Sequence, residues 1–367
     1  MKILNVVRVY ATHGRPGGMI HVATDRSEAL ARAGHEVHVL TTAATGHRTT
    51  HAETVNGVRV WHSATAPQEY SDEFANMCRQ VCEHLKPDVI HLESWDKHRC
   101  WWHAFAGKVK VAVTNHGEAV GSQLTEWRMR LHGRSKWHPT AIEPAIYPGE
   151  WLTERQQLKF ADVVLATCRF DRWLLADLVG LGGKVKLVYN PLPPWMWENK
   201  FKDLAVLEGW GPDHVTDIKN PKFGTRRDGP RQFAAVGLYG HAVRGFDVAQ
   251  AACKEAGVGL LTPKCSRREL RDVYDNCSGL LLPGFWSQGY DLCAAEALAR
   301  QRPLIMSDAG IGTMEAEGRP WIRTFPVGDV AALAEILRGP LPAVPPDAAD
   351  AHRPENHVKA WLAAVGC

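Results

Sequence analysis

Residues 280–299 read LLLPGFWSQGYDLCAAEALA. The leucines are typical of a buried strand in a parallel sheet, and the small apolar residues after Leu292 are typical of a helix that packs against that sheet. The predicted helix carries one carboxylate, Glu296, among apolar neighbours. Because a buried carboxylate is costly unless something hydrogen-bonds it, we expect Glu296 to bind hydroxyl groups of a ligand. A glutamate that points to solvent is the weaker interpretation.

The same alternation of strand-like and helix-like segments continues on both sides of this stretch. Apolar runs predict strands at residues 2–10, 35–41, 58–61, 88–92, 109–114, 162–166, 184–189, 232–236, 259–261, 279–282 and 303–306. Amphipathic segments predict helices at residues 19–33, 69–85 and 354–365. Strands separated by helices form βαβ units with a parallel sheet, so the predicted fold class is α/β.

A stretch rich in proline and tryptophan, residues 191–231, interrupts this alternation. Proline and glycine break regular structure, so we predict an inter-domain connection with an insertion there. The resulting domains are residues 1–190 and 232–350, followed by a C-terminal helix at 351–367 that packs back on the first domain. We therefore expect two Rossmann-like, doubly wound domains that face each other across a cleft, with ligands at the carboxyl ends of their strands.

The composition suits a globular protein of two domains. The chain has 367 residues, 45% of them apolar and 23% charged, which excludes a disordered or collagen-like protein. Its 43 basic and 40 acidic residues give a net charge of +3, too small for a purely electrostatic nucleic-acid coat. No apolar run approaches the roughly 18 residues of a membrane span, and Met1–Val9 is interpreted as a strand rather than a signal peptide. Nine cysteines without a Cys-x-x-Cys pair favour reduced thiols and a cytoplasmic location.

A glycine-rich turn, Gly14–Gly18, follows the first predicted strand and opens the first predicted helix. Paired glycines let the backbone approach a ligand closely, and a helix N-terminus supplies N–H groups for a phosphate. The turn matches neither the dinucleotide fingerprint nor a Walker loop. A plain strand-to-helix turn is an equally good interpretation of this feature alone.

The ordered set of motifs resembles the retaining GT-B glycosyltransferases of the glycogen-synthase-like, bacterial group 1 type. Their donor-site signature is a strand ending in Pro, a Glu-Gly-Phe-Gly loop and a second Glu eight positions after the first; here Gln288 and Glu296 hold the two Glu positions. Further matches are Gly17-Gly18-Met19, Ala33-Gly34-His35-Glu36-Val37, Pro87-Asp88-Val89-Ile90-His91, Asn115-His116-Gly117, Lys186-Leu187-Val188-Tyr189-Asn190 and Ser307-Asp308-Ala309-Gly310 with Glu315.

The resemblance implies a role for each matching position. Glu296 would hold the ribose of a nucleotide, His116 would lie beside the transferred sugar, and Arg244 would neutralise the diphosphate in place of the usual Lys. Gln288 completes the implied catalytic set. The implied donor cradle is Gly17, Gly18, Arg244, Gln288, Tyr290, Asp291, Leu292 and Glu296. No cofactor and no metal are implied, and the donor is a nucleoside-diphosphate sugar, with a UDP-sugar favoured over a GDP- or ADP-sugar.

Two positions depart from the family pattern. Gln288 replaces the first Glu, so it can hydrogen-bond a sugar hydroxyl but carries no charge. Leu238 stands where the second basic residue of the diphosphate pair is expected. These departures keep open a nucleotide-sugar epimerase or a non-catalytic nucleotide-sugar binder beside the transferase. The segment His35–His38 is interpreted as structural, because strand alternation places its two histidines on opposite faces.

The acceptor side of the chain is less typical of the family. A segment with interleaved basic and aromatic residues supplies the candidate acceptor contacts, namely Trp127, Arg128, Arg130, Arg134, Lys136 and Trp137. Such a mixture can seat a chain on an anionic lipid surface, or it can bind phosphates and stack on a base flipped from double-stranded DNA. A solvated loop is the third interpretation. The resemblance favours a glycan, glycolipid or small-molecule hydroxyl, with transfer to a hydroxymethylated DNA base as the alternative.

Overall fold

The computed structural model of the chain describes residues 1–13, 17–43, 50–64, 72–93, 101–116, 125, 129, 131–132, 147–198, 231–236, 242–263, 265–285, 292–309 and 311–366. The chain divides into two compact units. Unit 1 comprises Met1–Val120, Ile142–Pro193 and Ala351–Cys367, and unit 2 comprises Gly121–Ala141 and Pro194–Asp350. None of the described helices is long and apolar enough to span a bilayer.

Unit 1 contains an eight-stranded sheet in the order β3-β4-β2-β1-β5-β6-β7-β8. Its strands are β1 (Lys2–Val6), β2 (Glu36–Thr41), β3 (His51–Val55), β4 (Val58–His62), β5 (Val89–Leu92), β6 (Lys110–Asn115), β7 (Val163–Ala166) and β8 (Val185–Leu187). Its first helices are α1 (Gly18–Arg32), α2 (Asp72–Leu85), α3 (Tyr147–Leu158) and α4 (Arg169–Trp173). All neighbouring strands are parallel except β3 and β4.

The antiparallel pair β3–β4 is a hairpin that the strand predictions missed, because only β4 shows a clear apolar alternation. Its two-residue turn is Asn56-Gly57, with φ of 50° and 82°. Two positive φ angles in succession are the mark of a type I′ turn, for which Asn-Gly is the preferred sequence. This turn sets Val55 opposite Val58 and, at the far end of the hairpin, His51 opposite His62. The Asn-Gly dipeptide is the signal that could have predicted β3.

Unit 2 contains a five-stranded, wholly parallel sheet in the order β10-β9-β11-β12-β13. Its strands are β9 (Gln232–Ala234), β10 (Gly259–Leu261), β11 (Gly279–Leu282), β12 (Leu304–Ser307) and β13 (Ile322–Phe325). Its helices are α5 (Phe246–Ala256), α6 (Arg267–Asn276), α7 (Leu292–Ala299), α8 (Ile311–Ala316) and α9 (Val330–Arg338). The predictions missed β13, which has only its first and last residues buried and therefore lacks an alternating pattern.

The last helix, α10 (Pro354–Val365), belongs to unit 1. Proline at the first helical position suits the start of a helix, because its missing N–H would have no intrahelical partner there. The apolar face of α10 buries Val358, Trp361 and Val365 in the same core as Ile3 of β1. The predicted α/β class with two parallel-dominated sheets is confirmed.

Candidate active site

Each sheet has one place where the strand order favours a ligand site. In open parallel sheets, ligands bind outside the carboxyl ends of the strands where consecutive connections leave in opposite directions. In unit 2 that point lies between β9 and β11, and the segments after these strands lead to Arg244 and to Pro283. In unit 1 it lies between β1 and β5, whose following segments lead to Gly17 and to Glu93. Predicted donor residues therefore follow the strands at both points.

Arg244 is held against the segment that follows β11. The neighbouring Gly245 has φ of +68°, and a Cβ added there would overlap the carbonyl oxygen of Pro283. The Phe285 N–H donates to the Val243 carbonyl at 2.7 Å, and the Ser307 hydroxyl donates to the Gly284 carbonyl. Glycine is required at 245 because both the left-handed backbone and the close approach exclude a side chain. These contacts fix the backbone of Arg244 beside the segment that follows β11.

Glu296 lies on α7 and is 2% exposed. Its Oε1 accepts a hydrogen bond from Arg267 Nε at 2.7 Å, and its Oε2 accepts one from the Tyr274 hydroxyl at 2.9 Å. Burial raises the pKa of Glu296, and the guanidinium and the hydroxyl only partly offset that increase. The buried position contradicts the interpretation of Glu296 as a solvent-facing glutamate.

The two partners of Glu296 come from α6 and were not predicted from the sequence. Arg267 and Tyr274 are seven residues apart, two helical turns, so they share one face of α6. The Arg267 side chain is 12% exposed, and its guanidinium carbon lies 5.9 Å from the centroid of the Trp195 ring. Arg267 and Tyr274 thus each donate to one of the two carboxylate oxygens of Glu296. The ribose contact of Glu296 stays a prediction, and it requires the remaining acceptor positions or a displacement of Arg267.

Several predicted residues lie outside the described part of the chain. On the donor side these are Leu238, Gln288, Tyr290 and Asp291, whereas Leu292 is described as the first residue of α7. All the candidate acceptor contacts also lie outside it, namely Trp127, Arg128, Arg130, Arg134, Lys136 and Trp137. Their roles stay predictions.

In unit 1, the glycine turn opens α1 as predicted. The Gly17 carbonyl accepts from the His21 N–H at 3.1 Å, and no side chain caps the helix. Gly17 has extended backbone that any residue can adopt. A Cβ added at Gly18 would meet no atom within 4 Å. Glycine at 18 is therefore not required by the protein's own packing, and its small size leaves open space beside the first turn of α1.

His116 directly follows β6, and its Nε2 lies 3.2 Å from Oε2 of Glu93. A carboxylate accepts, so this nitrogen donates. Glu93 follows β5, is fully buried, and its backbone N–H donates to the carbonyl of Val6 at the end of β1 at 3.1 Å. The predicted sugar contact is thus oriented by a carboxylate that the sequence interpretation did not single out.

Glu93 is paired with a buried guanidinium. Arg26 of α1 is 0% exposed, and its Nη1 donates to Glu93 Oε2 at 2.5 Å and to the Thr114 hydroxyl at 3.1 Å. Burial alone would raise the pKa of Glu93, but the Arg26 guanidinium and the hydrogen bond from His116 outweigh burial and hold that pKa well below its usual range. Glu93 is therefore a carboxylate anion that holds His116 in place.

Two further histidines complete the surroundings of Arg26 and are neutral. His357 Nδ1 donates to the Tyr189 carbonyl at 2.8 Å, and its Nε2 accepts from Arg26 Nε at 3.3 Å. His91 Nε2 lies 2.7 Å from the Thr114 hydroxyl. Burial, with Arg26 adding to it, lowers the pKa of both His91 and His357 to about 3. A protonated His357 would place an N–H against the guanidinium N–H, which is why the neutral ring is the one that fits.

The signals for this network were present in the sequence. Arg26 lies four residues after Val22 and four before Leu30, at a position that an amphipathic helix buries. Glu93 follows a wholly buried strand at its carboxyl end. A charge at a core position of a predicted element is informative, because it must be paired or ligated.

Comparison with known proteins shows similarity to glycosyltransferases. Residues 16–195 match the model of Glycosyltransferase Family 4. No curated protein sequence matches the chain. The structure of sucrose-phosphate synthase from Thermosynechococcus elongatus is similar, with a TM-score of 0.64 and 18% identity over 100% of this chain and 96% of that one.

Two more solved structures have the same fold. The catalytic domain of starch synthase IV from Arabidopsis thaliana, bound to ADP and acarbose, has a TM-score of 0.61 and 11% identity over 100% of this chain and 99% of that one. HepE from Anabaena, in complex with UDP, has a TM-score of 0.53 and 14% identity over 100% and 95% of the two chains. The chain therefore has the GT-B fold of these structures, and its residues 16–195 are similar to Glycosyltransferase Family 4.

Proposed function

We propose that this chain is a glycosyltransferase of the group 1 type, which moves a sugar from a nucleoside-diphosphate sugar to an acceptor hydroxyl with retention of the anomeric configuration. The observation that carries the proposal is the position of Arg244, which Gly245 and the Pro283 carbonyl fix beside the strand-order reversal of unit 2. A UDP-sugar is the favoured donor. Two of the similar structures hold ADP or UDP, which supports a nucleotide donor in general.

Charge explains what Arg244 would do. Breaking the bond between the sugar and the diphosphate leaves negative charge on the phosphate oxygens, and a positioned guanidinium stabilises that charge in the transition state. Arginine can donate several hydrogen bonds to one phosphate, so it is a suitable replacement for lysine. The acceptor oxygen would attack the anomeric carbon on the face from which the phosphate leaves. The departing phosphate oxygen would take the proton of the acceptor hydroxyl.

His116 and Glu93 would act on the sugar side of the reaction. Because the Glu93 carboxylate accepts from His116 Nε2, it fixes the orientation of the ring. Arg26 keeps Glu93 ionised, so this orientation is maintained through the working pH range. Under this proposal His116 contacts the transferred sugar, and Glu93 and Arg26 are positioning residues.

The test is nucleotide release from UDP-, GDP- and ADP-sugars in the presence of glycan extracts, lipid extracts or hydroxymethylated duplex DNA. We expect release with a UDP-sugar and a glycan, lipid or small-molecule acceptor, and NMR of the product is expected to show the donor's anomeric configuration. Arg244→Ala should lower kcat/KM about 100-fold or more. Arg338→Ala, an exposed arginine of the same unit, is the matched control.

Each other outcome assigns a different function. Release that only DNA stimulates would establish the DNA-base transferase. Conversion of the donor without acceptor would establish an epimerase, and nucleotide binding without turnover would establish a binder. An inverted product would refute retention while leaving the transferase intact.

A further inference from the structure

The edge hairpin of unit 1 brings three metal-ligating side chains together. The register of β3 and β4 places His51 directly opposite His62. Side chains alternate along a strand, so Glu53 lies on the same face as His51. The three side chains offer two imidazole nitrogens and a carboxylate oxygen, and these atoms all lie within 4.8 Å of one another.

The hydrogen bonds of His62 indicate that a cation belongs in this cluster. His62 is fully buried, and its Nδ1 lies 3.4 Å from the carbonyl oxygen of Thr42. A carbonyl only accepts, so in the tautomer that donates from Nδ1 to Thr42 the Nε2 presents a lone pair. That Nε2 lies 2.9 Å from Oε1 of Glu53, which is also an acceptor. In this tautomer a proton or a metal ion must lie between the two acceptors.

His51 favours the metal ion over the proton. Its ring lies parallel to that of His62, with the centroids 4.4 Å apart and 9° between the planes. A proton shared by His62 and Glu53 involves only two of the side chains, whereas an ion can use all three. One ring nitrogen of His51 lies within 4.8 Å of the ligand atoms of both Glu53 and His62, close enough for the three to bind the same ion.

We propose that His51, Glu53 and His62 bind a divalent transition-metal ion. Two imidazole nitrogens with one carboxylate oxygen form a ligand set that suits zinc and its neighbours in the first transition row. The Thr42 carbonyl orients His62 through Nδ1, which is the common arrangement for a metal-binding histidine. The site is separate from the proposed transfer chemistry, which requires no metal.

The position of the site gives it a structural consequence. The Thr12 hydroxyl lies 3.4 Å from His62 Nε2. Thr12 is in the short helical segment Ala11–His13, which follows β1 and precedes the turn at Gly17. A bound ion would therefore stabilise the edge hairpin beside the segment that leads to Gly17.

The test is a zinc titration of the full chain in competition with a chromophoric chelator, followed by Co²⁺ substitution and absorption spectroscopy. We expect the wild type to bind one ion per chain. The variants His51→Gln and Glu53→Gln should not bind this ion, or should bind it at least tenfold more weakly, and their Co²⁺ absorption bands should differ from those of the wild type. Both positions are partly exposed, so these variants should fold, which circular dichroism checks. Zinc should raise the melting temperature of the wild type but not that of the variants.

His84→Gln is the matched control, because His84 is exposed on α2 and lies outside the cluster. The chain has 18 histidines, so background binding must be separated from the site. Equal zinc affinity in wild type and in His51→Gln would place the ion elsewhere and overturn the proposal. The absence of a stoichiometric ion would overturn it too, and would identify the His62–Glu53 contact as a proton-bridged pair.

Discussion

Glu93 in unit 1 and Glu296 in unit 2 are both buried carboxylates near the reversal of strand order in their sheets, yet their surroundings move their pKa values in opposite directions. Burial raises the pKa of both. At Glu93 the fully buried Arg26 and the hydrogen bond from His116 outweigh burial. At Glu296 the partly exposed Arg267 and the neutral Tyr274 do not.

The difference shows that the partner, rather than burial, decides the charge state of a carboxylate. Arg26 has no route to solvent and binds several groups at once, so the Glu93 pair is a fixed part of unit 1. Arg267 is 12% exposed beside Trp195, so a small displacement of its side chain would bring the guanidinium into contact with water. A movable partner suits a carboxylate that a ligand must reach, and a fixed partner suits one that only orients a histidine.

Replacing Glu with Gln should lower the free energy of unfolding far more at position 93 than at position 296. This difference is the largest effect that we expect. Glu93→Gln leaves Arg26 buried without a counter-charge and should lower the free energy of unfolding by about 3 kcal/mol or more. Glu296→Gln leaves a guanidinium that can reach water and should cost within about 1 kcal/mol. Urea denaturation of both variants measures the difference. Equal losses would show that the two carboxylates are held alike.

The rigidity of the unit 2 site can be tested with two glycines of α5. Gly245 and Gly257 flank this helix with φ of +68° and +69°, but only a Cβ at 245 would overlap another group, the Pro283 carbonyl. Gly257→Ala should cost about 1 kcal/mol from the left-handed backbone alone. Gly245→Ala should cost about 1–3 kcal/mol more through the clash, and should also weaken donor binding. Thermal denaturation of both variants checks this, and indistinguishable melting temperatures would contradict the close approach.

Nucleotide affinity tests whether Glu296 is the ligand-facing member of the pair. If its carboxylate accepts the ribose hydroxyls, Glu296→Ala should weaken UDP binding at least about tenfold, the loss of about 1.4 kcal/mol expected for a hydrogen bond to a charged group. Isothermal titration calorimetry measures the change. Glu335→Ala, an exposed glutamate of α9, should bind UDP like the wild type. Unchanged affinity in Glu296→Ala would remove the ribose assignment.

The smallest expected effect is an acid sensitivity that arises from unit 1. The pKa values of His91 and His357 are lowered to about 3, so below pH 6.5 the unfolded chain binds protons at these rings that the folded chain does not. Stability should therefore be level above neutral pH and fall as the pH decreases from 6.5. The slope is at most about 1.4 kcal/mol per pH unit for each histidine. Glu93 adds to the loss as the pH falls through the ordinary pKa range of a carboxyl, so measurements between pH 7 and 5 separate its contribution from that of the histidines.

Urea denaturation across that range is the measurement. His357→Gln keeps a donor for Tyr189 and an acceptor for Arg26, and it should flatten the slope by about half. The exposed His84→Gln should leave the slope of the wild type in place. A slope that His357→Gln does not change would show that other groups carry the acid sensitivity.

Much of the fold could be predicted from the local sequence. The β-rich runs and amphipathic segments predicted most strands and the helices α1, α2 and α10, since each element buries one side of a local pattern. β13 escaped because its middle residues are exposed. Within the candidate site, Glu296 was predicted to bury its carboxylate from its apolar neighbours alone. Arg26 and Glu93 were not, although each carries a charge at a core position.

The local sequence determined whether each segment forms a helix or a strand, and it determined the register of the hairpin at Asn56-Gly57. Both follow from backbone propensity and side-chain periodicity, which act between near neighbours in the chain. Only the tertiary structure decided which charges meet. Arg26 and Glu93 are far apart in the chain, and the crossovers that set β1 between β2 and β5 bring them together. Electrostatic interaction depends on distance and burial in space, so the charge states of Glu93 and Glu296 follow from packing and not from either residue's sequence neighbours.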